Sequence, residues 1–198
     1  METLQSIDEL ILLAVNGWRS FWMDEVMWII SGKITWFPLY LGLLIAVYSV
    51  LKSKKRFLYF FLIGGISIGA ADAIANYGFK QTIQRPRPSH DNELSEKLHY
   101  YVTSKGEEYR GGPYGFVSGH ATNSFAIAFF FGFFFWSHKR KGALYLLLLW
   151  AAIVAYSRMY LGVHYPSDLL GGGILGGVIA YAAYQIFQKV MLRESIVE

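Results

Sequence analysis

The chain has 198 residues, 54% hydrophobic, 18% aromatic and 16% charged, with no cysteine, a net charge of +4 and a mean hydropathy of +0.32. An average soluble domain carries ~25% charged residues, so this composition excludes a disordered chain and points to a membrane protein. Without cysteine there is no disulfide framework, thiolate zinc site or thiol catalysis, and the length allows one domain, two at most.

The N-terminus lacks the basic start of a secretory signal, because Glu2, Asp8 and Glu9 precede the first basic residue, Arg19. Residues 4–33 alternate short apolar clusters with charged or polar breaks. Trp18, Trp22, Trp28 and Trp36 crowd this region, as at a membrane–water boundary. The pattern predicts one or two interfacial helices, with an imperfect sixth span as the alternative. Five later segments read as spans, each needing ~20 apolar residues: Ile34–Leu51, Phe57–Lys80, Ala121–Trp136, Ala143–Tyr160 and Leu169–Val190. Gly171-Gly172-Gly173 and Gly176-Gly177 give the last one two overlapping small-xxx-small spacings, which let another helix approach closely. The expected architecture is all-α: a polytopic membrane bundle of five to six spans forming a single domain over residues 1–198. Residues 34–80 carry spans one and two, 81–120 an outer loop, 121–190 spans three to five, and 191–198 a tail.

Basic residues fix the expected orientation. Lys52, Lys54, Lys55 and Arg56 fill the link between the first two spans; Lys139, Arg140 and Lys141 fill the next link on the same side; Lys189 and Arg193 end there too. The positive-inside rule makes this face cytoplasmic. The basic balance therefore reports topology and not nucleic-acid binding.

Three polar clusters fall on the opposite, extracytoplasmic face. The first runs from Lys80 to Arg85-Pro86-Arg87-Pro88, the second is Val117-Ser118-Gly119-His120, and the third runs from Ser157-Arg158 through His164 to Asp168. Helical hairpins bring them to one depth. Lys80, Arg87 and Arg158 together are costly unless an anion joins them, and arginine's planar fork suits phosphate. Ser118 and Gly119 stand where a loop enters a helix, with unpaired backbone N–H groups and a favourable dipole. A phosphate ester is the natural ligand. His164 and Asp168 are four apart, so one helical face aligns the acid with the imidazole. His164 can then attack phosphorus, while His120 protonates the leaving oxygen and later activates water. The cations take the charge-stabilising role that a metal often fills.

These clusters resemble the type 2 phosphatidic acid phosphatase superfamily, whose pattern is K-x6-R-P, P-S-G-H and S-R-x5-H-x3-D. The match covers residues 80–168, with Val117 in place of the family's proline. The resemblance implies a metal-independent lipid phosphatase without cofactor. It places His164 as nucleophile, Asp168 as its partner and His120 as acid/base, with Lys80, Arg87, Ser118, Gly119 and Arg158 binding phosphate. Undecaprenyl diphosphate and lipid A are the favoured substrates, and phosphatidylglycerol phosphate and phosphatidic acid the alternatives. The compact size fits a bacterial inner-membrane enzyme, with phosphorylated and membrane lipids as its partners.

Rival readings are a metal site of His120, His164 and Asp168, a vanadate-binding haloperoxidase, and a non-catalytic phospholipid binder or transporter. Asp72, inside a span near Asn76, reads as a hydrogen-bonded structural residue. Arg85 reads as a solvated loop charge or as a contact to a second phosphate or headgroup. His90, His99 and His138 read as solvated, and Tyr100 and Tyr101 as candidates for a substrate mouth.

Overall fold

A computed structural model describes residues 2–197 of the chain, with side chains described from 4 to 194. Two helices come first, α1 (Glu2–Gly17) and α2 (Phe21–Ser31). A short turn at Ile34–Trp36 leads into α3 (Phe37–Leu51), with Pro38 in its first turn, where a missing N–H costs nothing. The helix α4 (Lys54–Ala73) starts at Ser53, whose hydroxyl accepts the Arg56 N–H. It continues through a π-helical stretch, Ile74–Lys80, into a last turn, α5 (Gln81–Ile83). The outer loop then leads to α6 (Gly119–Ser137), α7 (Lys141–Tyr160) and α8 (Pro166–Val197). Among the described residues extended pairing is confined to two isolated bridges in the outer loop, Pro86 with Tyr114 and Val102 with Glu108. The all-α expectation therefore holds.

Four helical stretches are long and apolar enough to cross a membrane: Ile34–Leu51, Lys54–Ile83, Lys141–Tyr160 and Pro166–Glu194. They match four of the five expected spans. The fifth, Ala121–Trp136, does form a helix, but α6 is not among the four. Its first turns, Gly119-His120-Ala121-Thr122-Asn123-Ser124, are polar and lower its hydropathy. At 16 and 11 residues, α1 and α2 fall short of the ~20 that a span needs.

Outward faces are apolar at helical spacing, with Leu41 and Ile45 on α3, Leu58, Leu62 and Ile66 on α4, Leu146, Leu149 and Ile153 on α7, and Leu170, Ile174 and Val178 on α8 all exposed. In water such faces would be untenable; against lipid tails they are at home. The interior is built around α6. Phe130 and Phe134 are fully buried, and Phe60 of α4 lies within 4.7 Å of the Phe130 ring centroid and 4.9 Å of that of Phe134. The Phe129–Phe135 run, which reads from sequence as lipid-facing or core surface, is thus mostly core.

The glycine pattern of α8 works as expected. A β-carbon at Gly172 would stand 2.7 Å from the Ser118 carbonyl oxygen, and one at Gly176 would collide with the Thr122 carbonyl. Backbone meets backbone along this seam, which fixes α8 against the start of α6.

The N-terminal pair packs over the end of the bundle that carries the three polar clusters. Leu12 of α1 joins Leu94, Leu98 and Tyr100 of the outer loop and Tyr165 in one apolar cluster. Met27 of α2 joins Tyr160, Leu161 and Val163 in another. Polar ties reinforce both. The Asn16 amide donates to the His99 and Tyr160 carbonyls at 2.9 and 2.8 Å, and Asp24 accepts from the Tyr160 hydroxyl at 2.6 Å.

Replacing Gly176 with leucine is expected to destabilise the protein by about 3 kcal/mol, at the upper end of the usual overpacking cost. Gly42→Leu, where nothing lies within 4 Å of a β-carbon, leaves stability unchanged. Thermal unfolding in detergent of the two variants against the native chain is the check.

Candidate active site

The site is assembled from four segments of chain. At the end of the second long helix, Lys80 is held by a line of i, i+4 contacts: its Nζ donates to Asn76 Oδ1 at 2.7 Å, and Asn76 Nδ2 donates to Asp72 Oδ2 at 3.0 Å. Asn123 of α6 donates to the other Asp72 oxygen at 2.7 Å. Asp72 thus has the hydrogen-bonded role its position suggests: it anchors the support of Lys80. The π-helical widening falls on this segment, a common feature of functional sites.

Arg87 is buried in the outer loop. Its Nε donates to the Tyr114 carbonyl at 3.1 Å and its Nη1 to the Val163 carbonyl at 3.3 Å. Gly111, at φ +69°, passes so close that a β-carbon would stand 2.8 Å from Nη1. Burial, then Arg158, pushes the Arg87 guanidinium down to about 10, which leaves it charged at neutral pH. Arg158, at the end of α7, donates to the Ser31 hydroxyl of α2 and, at 2.8 Å, to the Tyr109 hydroxyl of the outer loop. Its Nε is buried without a partner.

Ser118 precedes α6 and its C=O accepts the first helical N–H, from Thr122, at 2.9 Å. The Ser118 N–H donates to the Asp168 carbonyl at 3.0 Å, and the Ser118 hydroxyl is buried without a partner. Gly119 follows; a β-carbon there would come 3.6 Å from Lys80 Nζ. Val117, where the family pattern has proline, is buried against Gly171.

His164 and Asp168 are both essentially fully buried, and His164 Nδ1 lies 3.2 Å from Asp168 Oδ2. The same carboxylate oxygen accepts the Tyr165 N–H at 3.1 Å. Gly115 leaves room for it, since a β-carbon there would stand 2.8 Å from Oδ2. Burial first, and then Arg87, Arg158, Lys80 and His120, holds the His164 imidazole well below its ordinary 6.5. His120 lies in the field of Arg158, Lys33 and Arg87. All eight residues expected from sequence therefore converge. His120, His164 and Asp168 do not group as a three-ligand metal cluster among the described residues.

A cavity of about 220 Å³ reaches His120 from the bundle side. Lys33, Asn123 and Ser124 give it polar walls, and Tyr40, Ile68, Ile127, Trp150 and Val154 apolar ones.

Several expectations need correction. Arg85 is neither solvated nor free for a second phosphate: it pairs with Asp168 at 3.1 Å and with Asp8 of α1 at 2.7 Å. His99 is tied to Asp24 at 2.9 Å and to Arg19 at 2.6 Å, so it fastens the loop to the N-terminal helices. His138 stays exposed, as expected, with its ring 2.7 Å from the Phe134 carbonyl. Tyr100 is buried beneath Arg110, and Tyr101 stacks on Trp28 at 4.5 Å, so neither lines an open mouth. Sequence reasoning missed Asp8, Ser31 and Tyr109. Asp8 alone left a signal, as an acid inside the apolar spacing of α1; Ser31 and Tyr109 left none.

Residues 34–192 match the PAP2 superfamily. Lipid A 4'-phosphatase of Bacteroides thetaiotaomicron is 34% identical over 193 residues, covering 98% of this chain and 82% of the relative. Lipid A 4'-phosphatase of Porphyromonas gingivalis is 30% identical, covering 94% and 75%. The transmembrane PAP2-type phosphatidylglycerolphosphate phosphatase of Bacillus subtilis, a solved structure, superposes with a TM-score of 0.68 at 24% identity, covering 96% of this chain and 89% of that one. The chain belongs to the PAP2 superfamily.

Because His164 is held below 6.5, it stays unprotonated as pH falls through the ordinary imidazole range. The acid limb of kcat/KM, corrected for the ionisation of the substrate, is expected below pH 6.5. Initial rates from pH 4.5 to 8 at low substrate are the check, and an acid limb centred above 6.5 contradicts the expectation.

Proposed function

We propose that this membrane lipid phosphatase removes a phosphate monoester from lipid A or a lipid of the same kind, without metal, through a phosphohistidine intermediate. The observation that carries the proposal is a buried His164–Asp168 pair set among Lys80, Arg87 and Arg158, with Ser118 Oγ and Arg158 Nε left unpartnered at the same place. Buried polar atoms rarely go unsatisfied, and phosphate oxygens supply the acceptors that these donors lack.

In the first step, with Nδ1–H bonded to Asp168, the His164 Nε2 lone pair attacks phosphorus and the P–O bond to the lipid breaks. The arriving dianion offsets the field of Arg158, Lys33 and Arg87, so His120 takes up a proton and passes it to the departing oxygen. In the second step His120 removes a proton from water. The hydroxide attacks phosphorus, the P–N bond breaks, and inorganic phosphate leaves with His164 restored. Lys80, Arg87 and Arg158 hold the equatorial oxygens throughout.

Two arguments favour lipid A over undecaprenyl diphosphate. Both curated relatives described above are named as lipid A 4'-phosphatases. A free Arg85 would give a diphosphate a second contact, and Arg85 is occupied by Asp8 and Asp168. The cavity beside His120 suits an amphiphile, polar at one end and apolar along its walls. The basic ends of the helices lie opposite the site, so we place the site on the extracytoplasmic side of a bacterial inner membrane.

The test is phosphate release by purified protein in detergent with EDTA. The panel is lipid A, undecaprenyl diphosphate, phosphatidylglycerol phosphate and phosphatidic acid, with His164→Ala as control. The expected result is release from lipid A, an acid-labile phosphoenzyme on rapid quenching, and loss of both in the variant. Preference for undecaprenyl diphosphate overturns the substrate. Turnover that needs a divalent ion, or that survives in His164→Ala, overturns the mechanism. Bound lipid with no turnover under either condition favours the binder or transporter reading.

A further inference from the structure

The established motifs end at Asp168, but the contacts of its carboxylate do not. Oδ2 is taken by His164 and the Tyr165 N–H. Oδ1 accepts from Arg85 Nη1 at 3.1 Å, and the other end of that guanidinium, Nη2, donates to Asp8 Oδ2 at 2.7 Å. Asp8 also accepts the Ser167 N–H at 2.9 Å through Oδ1 and the Ser167 hydroxyl through Oδ2. Arg85 donates to that same hydroxyl at 2.6 Å and lies 4.2 Å over the Tyr165 ring. The cluster thus joins α1, the outer loop and the start of α8.

Asp8 is only 2% exposed, in a helix that otherwise meets the outer loop through Leu12 and the Asn16 amide. A buried carboxylate is retained only with strong partners, and here the partners lead to the catalytic pair. Asp8 accepts the first N–H that α8 has to offer, that of Ser167 after Pro166, which is the work of a capping residue done from 159 residues away. It fixes both the first turn of α8, which carries Asp168, and the plane of the fork that holds Asp168 Oδ1.

We propose that Asp8, acting through Arg85 and Ser167, is a positioning residue for the His164–Asp168 pair, holding the carboxylate so that Oδ2 faces the imidazole. Resting on the reading of His164 as nucleophile, this makes α1 part of the active-site support. Arg85 is shared between two carboxylates, so it neutralises charge that would otherwise draw Lys80 or Arg87 away from phosphate.

The experiment compares native protein, Asp8→Asn, Asp8→Glu, Arg85→Lys, Asp8→Asn with Arg85→Lys, and His164→Ala. The substrate is the panel lipid that the native chain hydrolyses fastest, and rates are taken per folded molecule. Asp8→Asn is expected to lower kcat about 10- to 100-fold, the cost typical of losing an outer partner of an oriented histidine, with KM within about twofold. Phosphoenzyme formation slows by the same factor. Asp8→Glu restores part of the loss, and the double variant is no slower than the worse single one. A kcat within twofold of native in Asp8→Asn, beside an inactive His164→Ala, overturns the proposal. So does a loss that falls wholly on KM. If Asp8→Asn does not fold, Arg85→Lys decides: its ammonium replaces the fork with a point charge, and native kcat there overturns the proposal. An active His164→Ala overturns the underlying mechanism instead, a separate and distinguishable failure.

Discussion

Three cations standing together at the edge of a lipid-embedded bundle repel one another, and the protein must hold them apart from any internal acid that would quench them. Each is restrained by neutral oxygen. Lys80 leans on the Asn76 amide, Arg87 on the Tyr114 and Val163 carbonyls, and Arg158 on the Ser31 and Tyr109 hydroxyls. Acids stand behind this layer, with Asp72 behind Asn76. Neutral oxygens orient a charge without cancelling it, so the positive potential remains available to a phosphate. Arg85, two residues from Arg87, meets the opposite fate and is spanned by two carboxylates. One loop thus carries one arginine held by carbonyls and one held by carboxylates, and the backbone at Pro86, paired with Tyr114, keeps them apart.

The same separation explains the architecture around the site. Glycines are placed where groups crowd it: Gly111 against Arg87, Gly115 against Asp168, Gly172 and Gly176 where α8 meets α6. Two of the motifs are joined directly through the backbone, Ser118 N–H to Asp168 carbonyl. The seam between α6 and α8 therefore holds the Ser118–Gly119 turn and the histidine–aspartate turn in one register.

Much of this was legible in the sequence. Period and hydropathy located the long helices, because lipid demands uninterrupted apolar runs. Fixed spacings single out eight candidate residues, and the fold brings them to one place. The reading stopped where contacts join distant segments. Arg85 differs from Arg87 only by what faces it, and its partner Asp8 lies 77 residues away. His99 looks like any loop histidine until Asp24 and Arg19 are placed beside it. Helix α6 forms where a span is expected, but its polar first turns, which carry His120, hold its hydropathy below that of the four long helices.

The superfamily match begins at residue 34, after α1 and α2 have ended. Yet Asp8 and Ser31 each touch a residue inside the matched region, Arg85 in one case and Arg158 in the other. The first 33 residues therefore help to hold side chains of the matched region in place. A chimera that joins the matched region to a foreign leading segment inherits every motif and still lacks two of the contacts that orient them.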